Sequence, residues 1–177
     1  GFLWTGLQAG QPFSSLVHEA MARGYTEPDP RIDLAGMDVA RKALILARTS
    51  GRMVDLDTVS IQTLVPKDLY DVDIATFMEN LDVSDAQIAR MASQASSNRS
   101  TLKYIASLPE DGTITVGLKA VPRSTVLGAL QGPENIVSIR TRRYDDYPTV
   151  ISGPGAGAAV TAAGMLGDVI ALAREMC

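Results

Sequence analysis

The hydrophobic period of this chain changes most clearly near residue 100, and that change decides the fold class. Up to about residue 97, apolar residues recur at three- and four-residue intervals; from Leu102 they recur at every second position. Leu102, Tyr104, Ala106 and Leu108 alternate, Pro109-Glu110-Asp111-Gly112 supplies turn chemistry, and Ile114, Val116, Leu118 and Ala120 alternate on the return. A strand presents every second residue to one face and a helix every third or fourth, so the two patterns do not interchange. The pattern predicts a hairpin over 102–120.

Before the hairpin, Phe13, Leu16, Val17, Ala20 and Met21 define one buried face of a helix over 14–23, started by Pro12 and the serine pair and stopped by Gly24. A second helix is predicted over 36–48, with Gly51 just beyond. Between them, the segment 25–33 carries Pro28 and Pro30 and reads as a stiff, non-helical loop. Residues 58–65 read as a strand stopped by Pro66. One helical segment follows with Ile74, Phe77, Met78 and Leu81. The next opens with Ser84 and Gln87 as a capping box, burying Ile88, Met91, Ala92 and Ala95. After the hairpin come strands near 135–141 and 149–152, a Gly-rich turn over 153–157 and a helix to about Glu175. Helices, then strands, then one helix predict an α+β fold: a mixed, largely antiparallel sheet with helices packed on one face.

With 177 residues, 46% of them hydrophobic and 20% charged, the chain suits one soluble domain with a sizeable core. A formal net charge of −4 without a dominant basic patch argues against a nucleic-acid partner. One cysteine, Cys177, and one histidine, His18, leave disulfide frameworks, zinc sites and histidine triads short of members. His18 falls on the polar side of its helix. No apolar run is long enough for a membrane span, so no membrane partner is expected. The opening Gly1-Phe2-Leu3-Trp4 lacks signal-peptide features and reads as the middle of something, with an upstream portion missing.

Two segments could carry chemistry. Gly153, Gly155 and Ala158 satisfy the G-x-G-x-x-[GA] spacing between a strand and a helix. That spacing lets backbone amides approach a pyrophosphate. A dinucleotide fold also needs a second parallel strand and an acidic residue about 20 residues on, whereas here a single helix is expected after the turn. A small-residue packing turn, or a loop touching a ligand held mainly elsewhere, both remain open. The second segment is the acidic loop with Glu27, Asp29 and Asp33, followed by Asp38 and Lys42 at i, i+4 on one helix face. A lysine beside a carboxylate can protonate a developing alkoxide. The same spacing also describes a surface ion pair worth about 0.3–0.5 kcal/mol. Ala40, Ala43, Leu44 and Ala47 make the helix apolar around the pair, which predicts that Lys42 is off any open face. Arg140, Arg142 and Arg143 read as a charged strand edge, with Tyr144 and Tyr147 beside it as interface or packing residues.

Gly24-Tyr25-Thr26-Glu27-Pro28-Asp29-Pro30-Arg31, Asp33-Leu34, Gly36 and Asp38-Val39-Ala40-Arg41-Lys42 strongly resemble the signature of homoserine dehydrogenases. Gly153–Gly157 with Val160-Thr161-Ala162-Ala163-Gly164 resembles that family's closing segment. The resemblance implies reversible, NAD(P)-dependent reduction of L-aspartate 4-semialdehyde to L-homoserine, in the aspartate pathway to threonine and methionine. It implies that the whole of 1–177 is the family's substrate-binding, catalytic and dimerisation domain, with the nucleotide-binding domain absent. NADP or NAD would be bound mainly by that absent domain, and the chain alone would be inactive. Lys42 matches the catalytic lysine, Asp38 the carboxylate that binds homoserine beside it, and Glu27 the glutamate that holds the amino-acid substrate. Tyr25 and Asp33 line the same loop; Gly24, Gly155 and Gly157 match backbone positions near the nicotinamide. The position of Ile32 is usually acidic in the motif. The resemblance further implies a homodimer in the cytoplasm. A non-catalytic, dimerising amino-acid-binding module is the alternative.

Overall fold

The computed structural model describes residues 2–130, 134–154 and 158–176. They fall into two compact units, Phe2–Ala129 and the residues from Leu130 onward. The first unit comprises α1 (Phe2–Gln8), α2 (Phe13–Ala22), α3 (Pro30–Leu34), α4 (Met37–Thr49), β1 (Ser60–Ile61), α5 (Ile74–Glu79), α6 (Asp85–Ser97), β2 (Ser100–Ser107), β3 (Thr115–Pro122) and α7 (Val126–Ala129). The second holds β4 (Glu134–Ile139), β5 (Thr149–Pro154) and α8 (Ala158–Glu175).

The fold is α+β. β2 and β3 pair antiparallel from Ser100↔Pro122 to Ser107↔Thr115, the predicted hairpin, and β1 adds to β3 in parallel. β4 and β5 form a separate antiparallel pair. The alternating residues of the hairpin meet two apolar clusters. Phe13, Leu16, Val17, Leu34, Phe77, Leu81 and Ile88 form one, with Tyr104 and Leu118 packed on it. Ala40, Ala43 and Ala47 of α4 form the other with Ile114 and Val116, and Tyr104 and Ala106 pack there too. Tyr104 therefore joins both. Phe13 and Phe77 are fully buried, each contributing about 1.5–3 kcal/mol by leaving water.

Several local expectations change. The 25–33 segment is not wholly loop: α3 begins at Pro30, because proline is tolerated in a first turn and Asp29 caps it by accepting from the Arg31 N–H at 3.0 Å. The 58–65 strand shrinks to Ser60–Ile61, since a 3-10 turn occupies Leu56–Thr58 and the Leu64 N–H leaves the sheet for the Leu34 carbonyl at 3.3 Å. The Ser84 capping box does not form. Ser84 has helical backbone angles, inherited from a 3-10 turn over Leu81–Ser84, and its side chain makes no cap bond. Asp85 instead reaches across to α2, accepting from the Ser14 N–H and hydroxyl at 2.7 Å each. The arginine run lies beyond β4, in a turn where the Tyr144 N–H donates to Thr141, so it lines no strand. Tyr144 and Tyr147 are exposed, so they pack on no core, and His18 is exposed as its place on the polar side of α2 predicts.

α8 has no buried residue, and Met165, Leu166, Val169, Ile170 and Leu172 stand open. None of the described helices is long and apolar enough to cross a membrane.

Candidate functional site

The site residues of the first unit are set by two helix ends. α2 closes on Gly24, whose φ of +68° turns the chain left-handed. The Gly24 N–H donates to the Met21 carbonyl and the Tyr25 N–H to the Ala20 carbonyl, both at 2.9 Å. This double closure needs a residue without a Cβ at that place. It releases Tyr25 onto the surface, 62% exposed, with its ring edge-on to Phe2 at 5.5 Å.

The acidic loop is braced from below. Arg31 grips the Asp29 carboxylate in a two-pronged ion pair with a closest approach of 2.7 Å. Its other end donates to the carbonyls of Tyr70 (3.2 Å) and Val72, and it stands 5.9 Å from the Phe77 ring. The guanidinium holds the Asp29 carboxyl below its ordinary range, and Asp29 in turn raises the pKa of Arg31. Above this brace the Glu27 N–H donates to Asp33 Oδ2 at 2.9 Å. That bond folds the loop so that the Glu27 and Asp33 side chains both stay exposed.

α4 starts at Gly36, whose φ is +74° and whose α-carbon lies under the Tyr104 phenol. The Tyr104 hydroxyl donates to the Gln62 carbonyl at 2.7 Å, and its ring lies parallel to Trp4 at 6.4 Å. From this fixed start Asp38 falls in the first turn and Lys42 one turn later. Lys42 Nζ meets Asp38 Oδ2 at 2.7 Å, with side chains 56% and 69% exposed. The expectation that Lys42 is off an open face is therefore overturned. Ala40, Ala43 and Ala47 point into the core on the opposite side of α4, which turns residues 38 and 42 outward.

The structure thus makes two pairs, Glu27 with Asp33 and Asp38 with Lys42, and leaves Tyr25 packed on Phe2 rather than on either. Lysine, carboxylates and backbone amides in the open can bind a polar amino acid and move a proton at its oxygen. Among the described residues no cluster of histidine, cysteine or acidic side chains could hold a metal ion. Gly24 has open space where a Cβ would stand, as does Gly153 in β5. Gly155 and Gly157 lie outside the described residues. The roles of Tyr104, Gly36 and the Asp29–Arg31 brace escaped sequence reasoning. An inward-facing tyrosine that needs a hydrogen-bond partner was the available signal.

The homoserine dehydrogenase family model matches residues 1–170. Homoserine dehydrogenase of Saccharomyces cerevisiae is 42% identical over 167 residues, covering 93% of this chain and 46% of that one. The crystal structure of a Candida auris protein of unknown function superposes with a TM-score of 0.87 at 36% identity, over 93% of this chain and 46% of that one. Homoserine dehydrogenase of Staphylococcus aureus shares the fold, with a TM-score of 0.74 at 21% identity, over 99% of this chain and 40% of that one. The chain spans less than half the length of each.

Proposed function

The chain belongs to the homoserine dehydrogenase family, and we propose that it forms the substrate-binding, catalytic and dimerising half of such an enzyme. In this reading the complete enzyme reversibly reduces L-aspartate 4-semialdehyde to L-homoserine, within threonine and methionine biosynthesis in the cytoplasm. The observation that carries the reading is the Lys42–Asp38 ion pair at 2.7 Å, held outward by a buried alanine face.

Lys42 donates a proton to the aldehyde oxygen as negative charge develops there, and Asp38 orients the ammonium and accepts from the substrate hydroxyl. A lysine ammonium beside a carboxylate suits this acid role. In the oxidative direction the same nitrogen must accept a proton, which favours alkaline conditions. Glu27 receives the substrate ammonium, Asp33 shapes the loop that presents Glu27, and Tyr25 flanks it.

A nicotinamide cofactor, NADP or NAD, supplies or accepts the hydride when bound. The open space over Gly24 fits the approach of a flat ring; Gly155 and Gly157 are proposed as further cofactor-binding residues. The described strands form no parallel β-α-β unit that would cradle a pyrophosphate: their one parallel contact is β1 with β3, and its first strand is two residues long. The dinucleotide is therefore assigned mainly to a part of the protein that its relatives carry in addition. The bare apolar surface of α8 supports packing against further protein, and a homodimer is the simplest assembly.

The test follows reduced-nicotinamide absorbance with L-homoserine and either cofactor, for this chain alone and for the complete protein containing it. Turnover by the complete protein only supports the reading. Turnover by neither, with L-homoserine still bound, points to a non-catalytic binding module.

A further inference from the structure

Arg23 follows the last residue of α2, directly before the Gly24 turn. Its side chain is 53% exposed, yet three partners hold it. It makes an ion pair with Glu19 one turn back. Its guanidinium carbon stands 5.3 Å from the centre of the Phe2 ring. It also hydrogen-bonds the Tyr25 side chain, and both Tyr25 and Glu19 favour its charged form. The Tyr25 ring in turn meets Phe2 edge-on at 5.5 Å, with the planes at 67°. Arg23, Phe2 and Tyr25 therefore close a triangle in which each side chain touches the other two. A held arginine loses much rotamer freedom, and one exposed ion pair returns little of it. The aromatic face and the phenol supply the rest. Tyr25 is 62% exposed, so the core does not fix its ring; the triangle does.

We propose that Arg23 is a positioning residue for substrate binding: it clamps Tyr25 on Phe2 and so fixes the near end of the loop that presents Glu27. This role rests on the reading in which Glu27 receives the substrate ammonium. The far end of the loop is tied by the Glu27 N–H on Asp33 and by the Asp29–Arg31 ion pair. One residue, Thr26, separates Tyr25 from Glu27. A clamped ring stays on Phe2, on the α1 side of the loop; a released ring is free to obstruct the Glu27 carboxylate. Lys42 and Asp38 stand on α4 and make no contact in the triangle, so the clamp acts on binding and not on proton transfer.

The test follows L-homoserine oxidation by the complete enzyme containing this chain. Arg23→Leu keeps an apolar side chain beside Phe2 and removes the charge and the hydrogen bond. The expected result is a rise of about three- to tenfold in KM for L-homoserine, the scale of one cation–π contact with one charge-assisted hydrogen bond. kcat stays within about twofold and the cofactor KM does not move, the pattern of lost binding rather than lost chemistry. Arg23→Lys recovers part of the effect, because an ammonium still meets the aromatic face but lacks the planar fork. Tyr25→Phe raises the same KM, and Arg23→Leu combined with Tyr25→Phe is no worse than Arg23→Leu alone, because both act through one contact. A KM for L-homoserine that Arg23→Leu leaves unchanged, or losses that add in the double variant, overturns the proposal and leaves the functional reading standing. No L-homoserine oxidation by the unaltered complete enzyme overturns that reading, and the role of Arg23 with it.

Discussion

The phenol oxygen of Tyr104 lies 1.9 Å from where a Cβ on Gly36 would stand. One strand residue thus fixes the start of the helix that carries Asp38 and Lys42. Gly36→Ala meets both this obstruction and a φ of +74°. The combined cost is roughly 2–4 kcal/mol, read as a lowered midpoint in urea unfolding. A loss below about 0.5 kcal/mol, the level of an ordinary surface change, would show that α4 begins without this contact.

Tyr104 also sets an alkaline limit. Burial pushes its pKa up to about 12, above the ordinary tyrosine value of about 10. A folded group that binds its proton more tightly than the unfolded one stabilises fully below the unfolded pKa and loses that contribution as pH rises through the folded one. Stability from Tyr104 is therefore complete below pH 10 and fades towards pH 12. Tyr104→Phe gives up the bond to Gln62, about 1 kcal/mol at neutral pH, and flattens the alkaline loss. A fall equally steep in both proteins contradicts this.

At the acid end the corresponding group is Asp29, whose carboxyl Arg31 holds below its ordinary value. Its contribution is present above the unfolded pKa and lost as pH falls through the lower folded one. Arg31→Met removes the brace on the Tyr70 and Val72 carbonyls, costs about 1–3 kcal/mol at neutral pH, and erases this acid dependence. Arg31→Lys recovers little, because an ammonium cannot make the two-pronged pair. Urea titrations at neutral and acid pH check both.

Asp85 takes on α2 the capping work that Ser84 does not do on α6. Asp85→Ala costs about 0.5–2 kcal/mol, the range of a lost N-cap. Ser84→Ala costs nothing or stabilises. Equal losses in the two variants would contradict this division of labour.

The elements readable in the sequence were those whose local pattern and tertiary packing agree. The hairpin over 102–120 and the helices α2 and α4 are of this kind, and the Lys42–Asp38 pair follows from helical spacing alone. Where a distant partner decides, the sequence was silent. Asp85 turns to Ser14, 71 residues away in the chain, and so a box written locally at Ser84 and Gln87 never closes. Lys42 was expected off an open face because four apolar neighbours surround it in sequence. On the helix those neighbours turn inward and the lysine outward. Tyr104 over Gly36 joins residues 68 positions apart, which no local pattern encodes.

The most direct test of the account is kcat for L-homoserine oxidation by the complete enzyme carrying Lys42→Met. Loss of a proton-transferring group predicts a fall of about 10²–10⁴-fold, with KM less affected and the alkaline rise in rate abolished. An unchanged kcat with an intact pH profile would mean that the Lys42–Asp38 pair is only a surface ion pair.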